Sequence, residues 1–189
     1  HGTACVELIG RLAPAAQISS LAITDEHGCF ELESLIQAIE WCIEKGIHVV
    51  SISLGTTDSS RRAELERVCT QAHAVGLVIV AAGHNDGLVS FPAHCESTIG
   101  VAGGSLAGED DVIYRPNHPI QCVARGDRQR VRWHQGEDRM IAGSSFAAPR
   151  VAARIARLLA ANASQKIPTI HELLCQIATQ IQSDATARE

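Results

Sequence analysis

Apolar residues follow two rhythms along this chain: short continuous runs, and longer stretches with an apolar residue every three or four positions. The short runs predict buried strands at 15–23, 47–55, 77–83 and 97–103, with a weaker candidate at 120–124. The longer stretches predict helices at 31–46, 59–76, 144–164 and 169–182. The residues that follow His1 also have a helical pattern.

The order of these elements predicts the α/β class. Strands that alternate with helices form a parallel sheet with helices on both faces. We assign the whole chain, 1–189, to one domain, with 183–189 as a frayed tail. Because ligands bind at the carboxyl ends of the strands in such folds, chemistry is expected at 53–55, at 81–86 and near the helix start at 143–145.

Composition narrows the classes of partner and compartment. The formal net charge of −5 gives no reason to expect nucleic acid or an anionic membrane as a partner, and no apolar run is long enough to span a bilayer. The seven cysteines are an odd number and include no CxxC pair. This pattern favours free thiols in a reducing compartment over disulfides or structural zinc, so we expect a cytoplasmic protein.

Two serines follow Gly143 in the stretch GSSFAAP, where the long helix starts. One interpretation is a helix cap, since serine is common there. The other is a nucleophile, because free N–H groups at a helix start stabilise the oxyanion that forms when a hydroxyl attacks a carbonyl. Ala147 stands where the GxSxG motif of α/β hydrolases has its second glycine. This stretch alone leaves both interpretations open.

A nucleophilic serine also needs a base and an oxyanion donor. His1 begins the stretch HGTACVELIG, and His84, Asn85 and Asp86 follow a buried strand in AAGHND. An imidazole can act as the base, and an asparagine amide can donate to an oxyanion. Taken singly, an exposed histidine and an asparagine in a turn are ordinary features.

In combination these stretches carry a resemblance. HGTACVELIG, AIEWCIEKGIHVVSISLG, VIVAAGHNDG, FPAHCESTIGVAG and GSSFAAPRVA occur in this order, and from His1 to about Leu159 the chain resembles the subtilisin-like serine proteases (subtilases, peptidase S8). The resemblance implies a three-layer fold with a parallel central sheet and helices on both faces. It also implies a serine endopeptidase that works through an acyl-enzyme.

The resemblance assigns roles to residues of this chain. It implies Ser145 as the nucleophile, His1 as its general base and Asn85 as the side-chain donor to the oxyanion. It further implies an edge that pairs with extended substrate and a pocket for the residue before the scissile bond. The edge comprises Ser53, Leu54 and Gly55, and the pocket is lined by Ala81, Ala82 and Gly83.

The resemblance is incomplete at several positions. The family places a catalytic aspartate upstream of the histidine, and no aspartate of this chain stands there. We expect either a fragment, whose N-terminal companion segment carries the aspartate, or a degenerate relative. Without that segment a central strand is missing, and its neighbours expose unpaired backbone groups. We therefore expect the chain alone to be inactive or slow, since loss of the aspartate costs about 10⁴ in such triads.

Smaller departures are His84 in place of a glycine, Ser144 in place of a threonine and Arg150 in place of a histidine. If the turn shifts by one residue, His84 faces the oxyanion and Asn85 does not. The charged stretch 125–139 predicts a solvated loop or hairpin, with a binding patch as the alternative.

The sequence thus predicts a serine endopeptidase acting on peptides or proteins, with intracellular maturation of a precursor peptide as the finer hypothesis. The alternative is a catalytically inactive relative that binds peptides. No cofactor is expected. The resemblance leaves calcium open, and the sequence contains no readable calcium site.

Overall fold

The computed structural model of the chain describes residues 1–25, 27–132, 137–162 and 169–182. These residues contain the α-helices α1 (Gly2–Leu12), α2 (Leu32–Glu44), α3 (Arg62–Ala74), α4 (Ser144–Ala161) and α5 (Ile170–Ile177). A 3₁₀ turn at Ser59–Arg61 leads into α3. The strands are β1 (Val49–Ile52), β2 (Val78–Ala82), β3 (Thr98–Gly104), β4 (Val112–Tyr114), β5 (Cys122–Arg125), β6 (Gln129–Arg132), β7 (Asp138–Ile141) and β8 (Gln180–Ile181).

Six of these strands form the central sheet, in the order β1–β2–β3–β5–β4–β8. The strands β1, β2, β3 and β5 run parallel, whereas β4 is antiparallel to β5 and parallel to β8. Every residue of β2 is buried, as its continuous apolar sequence VIVAA predicts for a strand covered on both faces. The predicted α/β class with a mostly parallel central sheet is confirmed.

Helices cover both faces of the sheet. The side chains of β2 alternate between two core clusters, because successive residues of a strand point to opposite faces. Ile79 and Ala81 join the cluster that contains α2 and α3. Val78, Val80 and Ala82 join the cluster that contains α4 and α5. The sheet is therefore the middle of three layers.

The helix α1 lies outside these layers and packs against α4. Ala4 and Leu8, one helical turn apart, are fully buried and cluster with Phe146 of α4 and Ile141 of β7. The helical pattern that follows His1 is thereby confirmed, and it brings the first turn of α1 beside the first turn of α4.

A buried charge fixes α4 to the loops beside it. Arg150 is 1% exposed; its guanidinium donates to the backbone carbonyl of Glu109 at 2.7 Å and to the side chain of Gln129. Burial lowers the pKa of Arg150, and the Glu109 carboxylate, 3.3 Å away, acts in the opposite direction. The arginine that departs from the family pattern thus has polar partners on both sides, as a buried cation requires.

The predicted strand at 15–23 is wrong. This segment forms no strand, and Ile18 and Leu21 on it are 38% and 43% exposed. A strand needs the N–H and C=O groups of a neighbour, and β1 at the sheet edge pairs only with β2 among the described residues. Apolar composition without a partner strand therefore does not produce a strand here.

The predicted helix at 169–182 is too long. A capping box of Thr169 and Glu172 starts α5, but Ala178 takes extended backbone angles and ends it. Thr179 then donates to the carbonyl of Val112 from both its N–H, at 2.8 Å, and its hydroxyl, at 3.0 Å. These bonds draw the chain into β8. The predicted tail at 183–189 and the last two residues of the predicted helix at 144–164 lie outside the described residues.

The charged stretch 125–139 contains a hairpin, as one interpretation predicted. The strands β6 and β7 pair antiparallel, with Gln129 opposite Ile141 and Arg132 opposite Asp138. An exposed ion pair of Arg130 and Asp138, at 3.1 Å, spans the two strands. Such pairs contribute little to stability. Residues 133–136 lie outside the described part of the chain.

All seven cysteines are free, as predicted. Cys42, Cys69, Cys95 and Cys122 are buried, Cys29 and Cys175 are exposed and Cys5 is half-buried. The thiol of Cys122 lies between the sheet and α4, and burial raises its pKa to about 12. The protonated thiol behaves as a small apolar side chain in this core.

The raised pKa of Cys122 predicts alkaline destabilisation. The folded chain keeps this proton to about pH 12, whereas the unfolded thiol loses it near 9.0, so unfolding releases a proton between these values. The free energy of unfolding therefore falls as pH rises, by about 1.4 kcal/mol per pH unit from this group. Urea unfolding of the parent and of Cys122→Ala between about pH 9 and pH 11 should show a steeper fall for the parent. Parallel pH profiles would contradict the assignment.

Candidate active site

Three chain segments meet in a cleft of about 310 Å³ at the carboxyl ends of β1 and β2. They are the residues after β1, the turn after β2 and the start of α4. The lining residues are Ser53, Leu54, Gly55, Ala82, Gly83, His84, Asn85, Asp86, Ser90, Ser144 and Ser145. The structure therefore brings together every residue to which the sequence assigned a role in the site, except His1 and Ala81.

Glycines hold the start of α4 against the sheet. Gly143 has a φ of 123°, which side chains other than glycine rarely adopt, and its N–H donates to the carbonyl of Gly126 at 2.7 Å. A Cβ on Gly126 would lie 2.6 Å from the Cα of Gly103 and 2.8 Å from the carbonyl oxygen of Gly143. Backbone packs on backbone here. Sequence reasoning missed Gly103 and Gly126, since neither belongs to a motif that marks it as part of a site.

The two serines after Gly143 have different surroundings. The N-cap of α4 is Gly143 and no side chain caps it, so the interpretation of a serine cap is wrong. Ser144 is 3% exposed, and its hydroxyl donates to the carbonyl of Gly83 at 2.5 Å. Ser145 is half-buried, and its hydroxyl donates over 3.3 Å to the carbonyl of Ser53. Ser144 thus joins the helix to the turn after β2, whereas the hydroxyl of Ser145 lies at the cleft.

Asn85 is oriented by the start of α4. Its side-chain oxygen accepts from the N–H of Ser144 at 2.9 Å and lies 3.0 Å from the Ser144 hydroxyl. Because the oxygen is engaged, the amide nitrogen is the group left to donate to a ligand, and no described residue accepts from it. A Cβ on Gly143 would lie 3.1 Å from this oxygen, so the glycine also makes room for the amide.

His84 lines the cleft beside Asn85 without replacing it. Its Nδ1 accepts from the N–H of Asp86 at 3.2 Å and lies 3.8 Å from the Asp86 carboxylate. Its carbonyl accepts from Gly87, which closes the turn with a φ of 73°. The imidazole is therefore used within the turn, and the side chain fixed to α4 is that of Asn85.

His1 lies beside the first turn of α4, without a described hydrogen bond to Ser145. The residue is exposed at the N-cap of α1, and its ring packs on Phe146 with the ring centroids 4.9 Å apart. Its Nδ1 is 3.8 Å from the thiol of Cys5, one helical turn along α1. No described carboxylate bonds to this imidazole, and no described hydrogen bond joins it to Ser145.

The edge at 53–55 is fixed from two sides. The Ser53 hydroxyl donates to the carbonyl of Ser145 at 2.7 Å. A Cβ on Gly55 would lie 2.7 Å from the carbonyl oxygen of Phe91, so only glycine fits there. Thr56 and Phe91 then exchange both backbone hydrogen bonds, at 2.9 Å and 2.8 Å. These contacts leave the edge open along the cleft.

Ala81, which the sequence places in the pocket, does not line the cleft. Ala81 is fully buried and its side chain belongs to the core cluster beneath the sheet, whereas Ala82 and Gly83 line the cleft. Both alanines belong to β2 and point to opposite faces of the sheet, and a run of small residues does not show which of them reaches the cleft. Asp86 and Ser90, which sequence reasoning did not assign, also line the cleft.

The described residues offer neither a metal centre nor a helix that spans a membrane. Among them no three His, Cys, Asp or Glu side chains converge on a point that could hold a metal ion, and we assign calcium to no residue. Within the same part of the chain, none of the helices combines the length and apolarity that crossing a bilayer requires.

The geometry at Gly143 predicts that Gly143→Ala perturbs the cleft. An added Cβ meets the Asn85 amide and is strained at this φ, so we expect a loss of about 1–3 kcal/mol in the free energy of unfolding. Urea unfolding measures this loss in the free energy of unfolding. The matched control is Gly10→Ala inside α1, where the nearest atom is 3.8 Å from the new Cβ and a gain of about 0.5–1 kcal/mol is expected. Equal effects of the two substitutions would contradict the assigned constraint.

Solved structures with this architecture are known. A lanthipeptide protease superposes with a TM-score of 0.72 at 17% identity, over 92% of this chain and 65% of that protein. The prenylagaramide maturation protease PagA superposes with a TM-score of 0.61 at 21% identity, over 76% of this chain and 55% of that protein. Both similarities concern the fold.

The chain is also similar in sequence to known proteases. A thermostable alkaline protease of Halalkalibacterium halodurans is 28% identical over 174 residues, which are 91% of this chain and 48% of that protein. The chain thus spans about half the length of this relative. The family model described as the subtilase family (peptidase S8) matches residues 2–189. Together with the fold, this match establishes that the chain belongs to the subtilase family.

Proposed function

We propose that this chain is the part of a serine endopeptidase that holds the nucleophile, the base and the oxyanion site. The observation that carries the proposal is the orientation of Asn85. Its amide oxygen is held by Ser144, next to Ser145, so the amide nitrogen is free to donate in the same cleft as the Ser145 hydroxyl. A donor held in place before the reaction is what stabilisation of an oxyanion requires.

In the proposed mechanism, the Ser145 oxygen bonds to the carbonyl carbon of the scissile peptide while its proton passes to His1. The oxyanion accepts from the Asn85 amide and from the N–H of Ser145, for which no described residue is an acceptor. The C–N bond then breaks, His1 returns the proton to the leaving amine, and water hydrolyses the acyl-enzyme. The proton transfer requires the Ser145 hydroxyl to break its hydrogen bond to the Ser53 carbonyl and to donate to the His1 imidazole instead.

We propose further that the carboxylate that orients His1 comes from a segment pairing with the free edge of β1. Among the described residues only β2 pairs with β1, so half of the backbone groups of β1 lack a strand partner. A strand inserted on this side would bond to the unpaired edge of β1.

For substrates, we propose peptide segments in extended conformation, bound along 53–55, and maturation of a precursor peptide in the cytoplasm. Two observations support this finer proposal. The cysteines are free, as is usual in reducing compartments. The similar structures include a lanthipeptide protease and a prenylagaramide maturation protease.

The nucleophile is tested by covalent labelling. In the complete protein, with the segment that supplies the aspartate, a fluorophosphonate should bond through phosphorus to the Ser145 oxygen with loss of fluoride, and mass spectrometry of peptides should locate the adduct at Ser145. Labelling should vanish in Ser145→Ala and persist in Ser60→Ala, an exposed serine remote from the cleft. Labelling that survives in Ser145→Ala would assign the nucleophile to another residue.

Two observations favour the alternative of a peptide-binding module: the Ser145 hydroxyl bonds to the carbonyl of Ser53, and His1 bonds to no described carboxylate. The same experiment separates the two functions. A folded complete protein that binds an extended peptide, in both the parent and Ser145→Ala, yet takes no label would overturn the enzymatic proposal.

The oxyanion role of Asn85 predicts a kinetic defect. Asn85→Ala removes the donor, and loss of one such donor in subtilisin-type proteases costs about 10²–10³ in rate. The second-order rate of fluorophosphonate labelling should fall by about this factor relative to the parent, with Ser60→Ala again unchanged. A fall of less than about threefold would remove Asn85 from the proposed mechanism.

A further inference from the structure

The carbonyl of the proposed nucleophile lacks the usual donor four residues later in its own helix. In an α-helix this carbonyl would accept from the N–H four residues later, and that residue is Pro149, which has no N–H. The proline lies in the second turn of α4, beyond the first helical position, where its missing N–H would cost nothing. The Ser145 carbonyl, half-buried at the cleft floor, must find its partner elsewhere.

That partner is the side chain of Ser53. Its hydroxyl donates to the Ser145 carbonyl at 2.7 Å, while the Ser145 hydroxyl donates to the Ser53 carbonyl at 3.3 Å. Each of the two residues thus bonds through its side chain to the backbone of the other. The hydrogen of the Ser53 hydroxyl is engaged, so the thiol of Cys5, 3.7 Å from that oxygen, is placed to donate to it.

We infer that the Ser53 hydroxyl is a positioning residue for Ser145, made necessary by Pro149. It holds the backbone of the nucleophile at the end of β1, the same place where the substrate edge begins. This role is separate from the backbone role of Ser53 in substrate binding. The inference rests on the proposed function, because its kinetic consequence appears only if Ser145 is a nucleophile.

The need for the Ser53 hydroxyl depends on the residue at position 149. When Pro149 is present, loss of the Ser53 hydroxyl leaves the Ser145 carbonyl with the weak thiol donor of Cys5 alone, 3.7 Å away. In Pro149→Ala the new N–H supplies the missing helical bond. The Ser53 hydroxyl then becomes dispensable for holding the nucleophile.

The test is a double-substitution cycle on the complete protein, with the segment that supplies the aspartate. Its readout is the rate of fluorophosphonate labelling at Ser145 at saturating and subsaturating reagent. Ser53→Ala should slow the maximal labelling rate about tenfold, equivalent to about 1.4 kcal/mol, with the half-saturating concentration unchanged. In the Pro149→Ala background the same substitution should change the maximal rate less than about twofold. Thermal unfolding of each variant confirms that it is folded.

Isosteric variants separate the hydroxyl from the volume of the side chain. Ser53→Thr keeps the hydroxyl and should label at close to the parent rate, whereas Ser53→Val should behave as Ser53→Ala. The matched control is Ser51→Ala, two residues earlier in β1, whose hydroxyl has no described partner and whose loss should leave the rate unchanged.

The outcomes are distinguishable. A folded parent that takes no label overturns the proposed function and the inference together. A labelled parent with equal rates for Ser53→Thr and Ser53→Val overturns the inference alone. A tenfold loss of the same size in the parent background and in the Pro149→Ala background also overturns it, because the effect would then not depend on the missing helical donor.

Discussion

The contact on which the site depends is the approach of the start of α4 to the sheet with no side chains in between. Gly143 lies against Gly103 and Gly126 at backbone distances, and its N–H bonds to Gly126. Any larger residue at these positions would lift the helix away from the carboxyl ends of the strands. The Asn85 amide, the Ser145 hydroxyl and the edge at 53–55 reach one cleft because this distance is short.

The first turn of α4 then distributes its polar groups in three directions. The N–H of Ser144 donates to the side-chain oxygen of Asn85, and the Ser144 hydroxyl donates to a carbonyl in the turn after β2. The carbonyl of Ser145 accepts from the Ser53 hydroxyl. Each bond fixes a different neighbour, so the helix start organises the cleft rather than only supplying a hydroxyl to it. A rigid set of donors around a reacting hydroxyl is the arrangement that lowers the cost of reorganisation during reaction.

Much of the fold and part of the site could be predicted from the sequence. The apolar periodicities located β1, β2, β3 and the helices α2 to α4, because buried elements carry their own pattern. They failed at 15–23 and after Ile177, since pairing with a neighbouring strand decides both segments. The residues Ser53, Asn85 and Ser145 were located through motif order. The distances that orient them depend on Gly103 and Gly126, which are remote in sequence. The burial of Ala81 depends on the face of the sheet to which it points.

Pro149 has a consequence for the sequence history of the family. A proline in the second turn of a helix removes one donor, and that deficit is local, permanent and independent of which substrate the protein binds. Position 53 needs a hydroxyl because the proline at position 149 has no N–H, although the two positions lie far apart along the chain. The effects of substitutions at the two positions are therefore coupled. A chain that loses the proline no longer needs a hydroxyl at position 53.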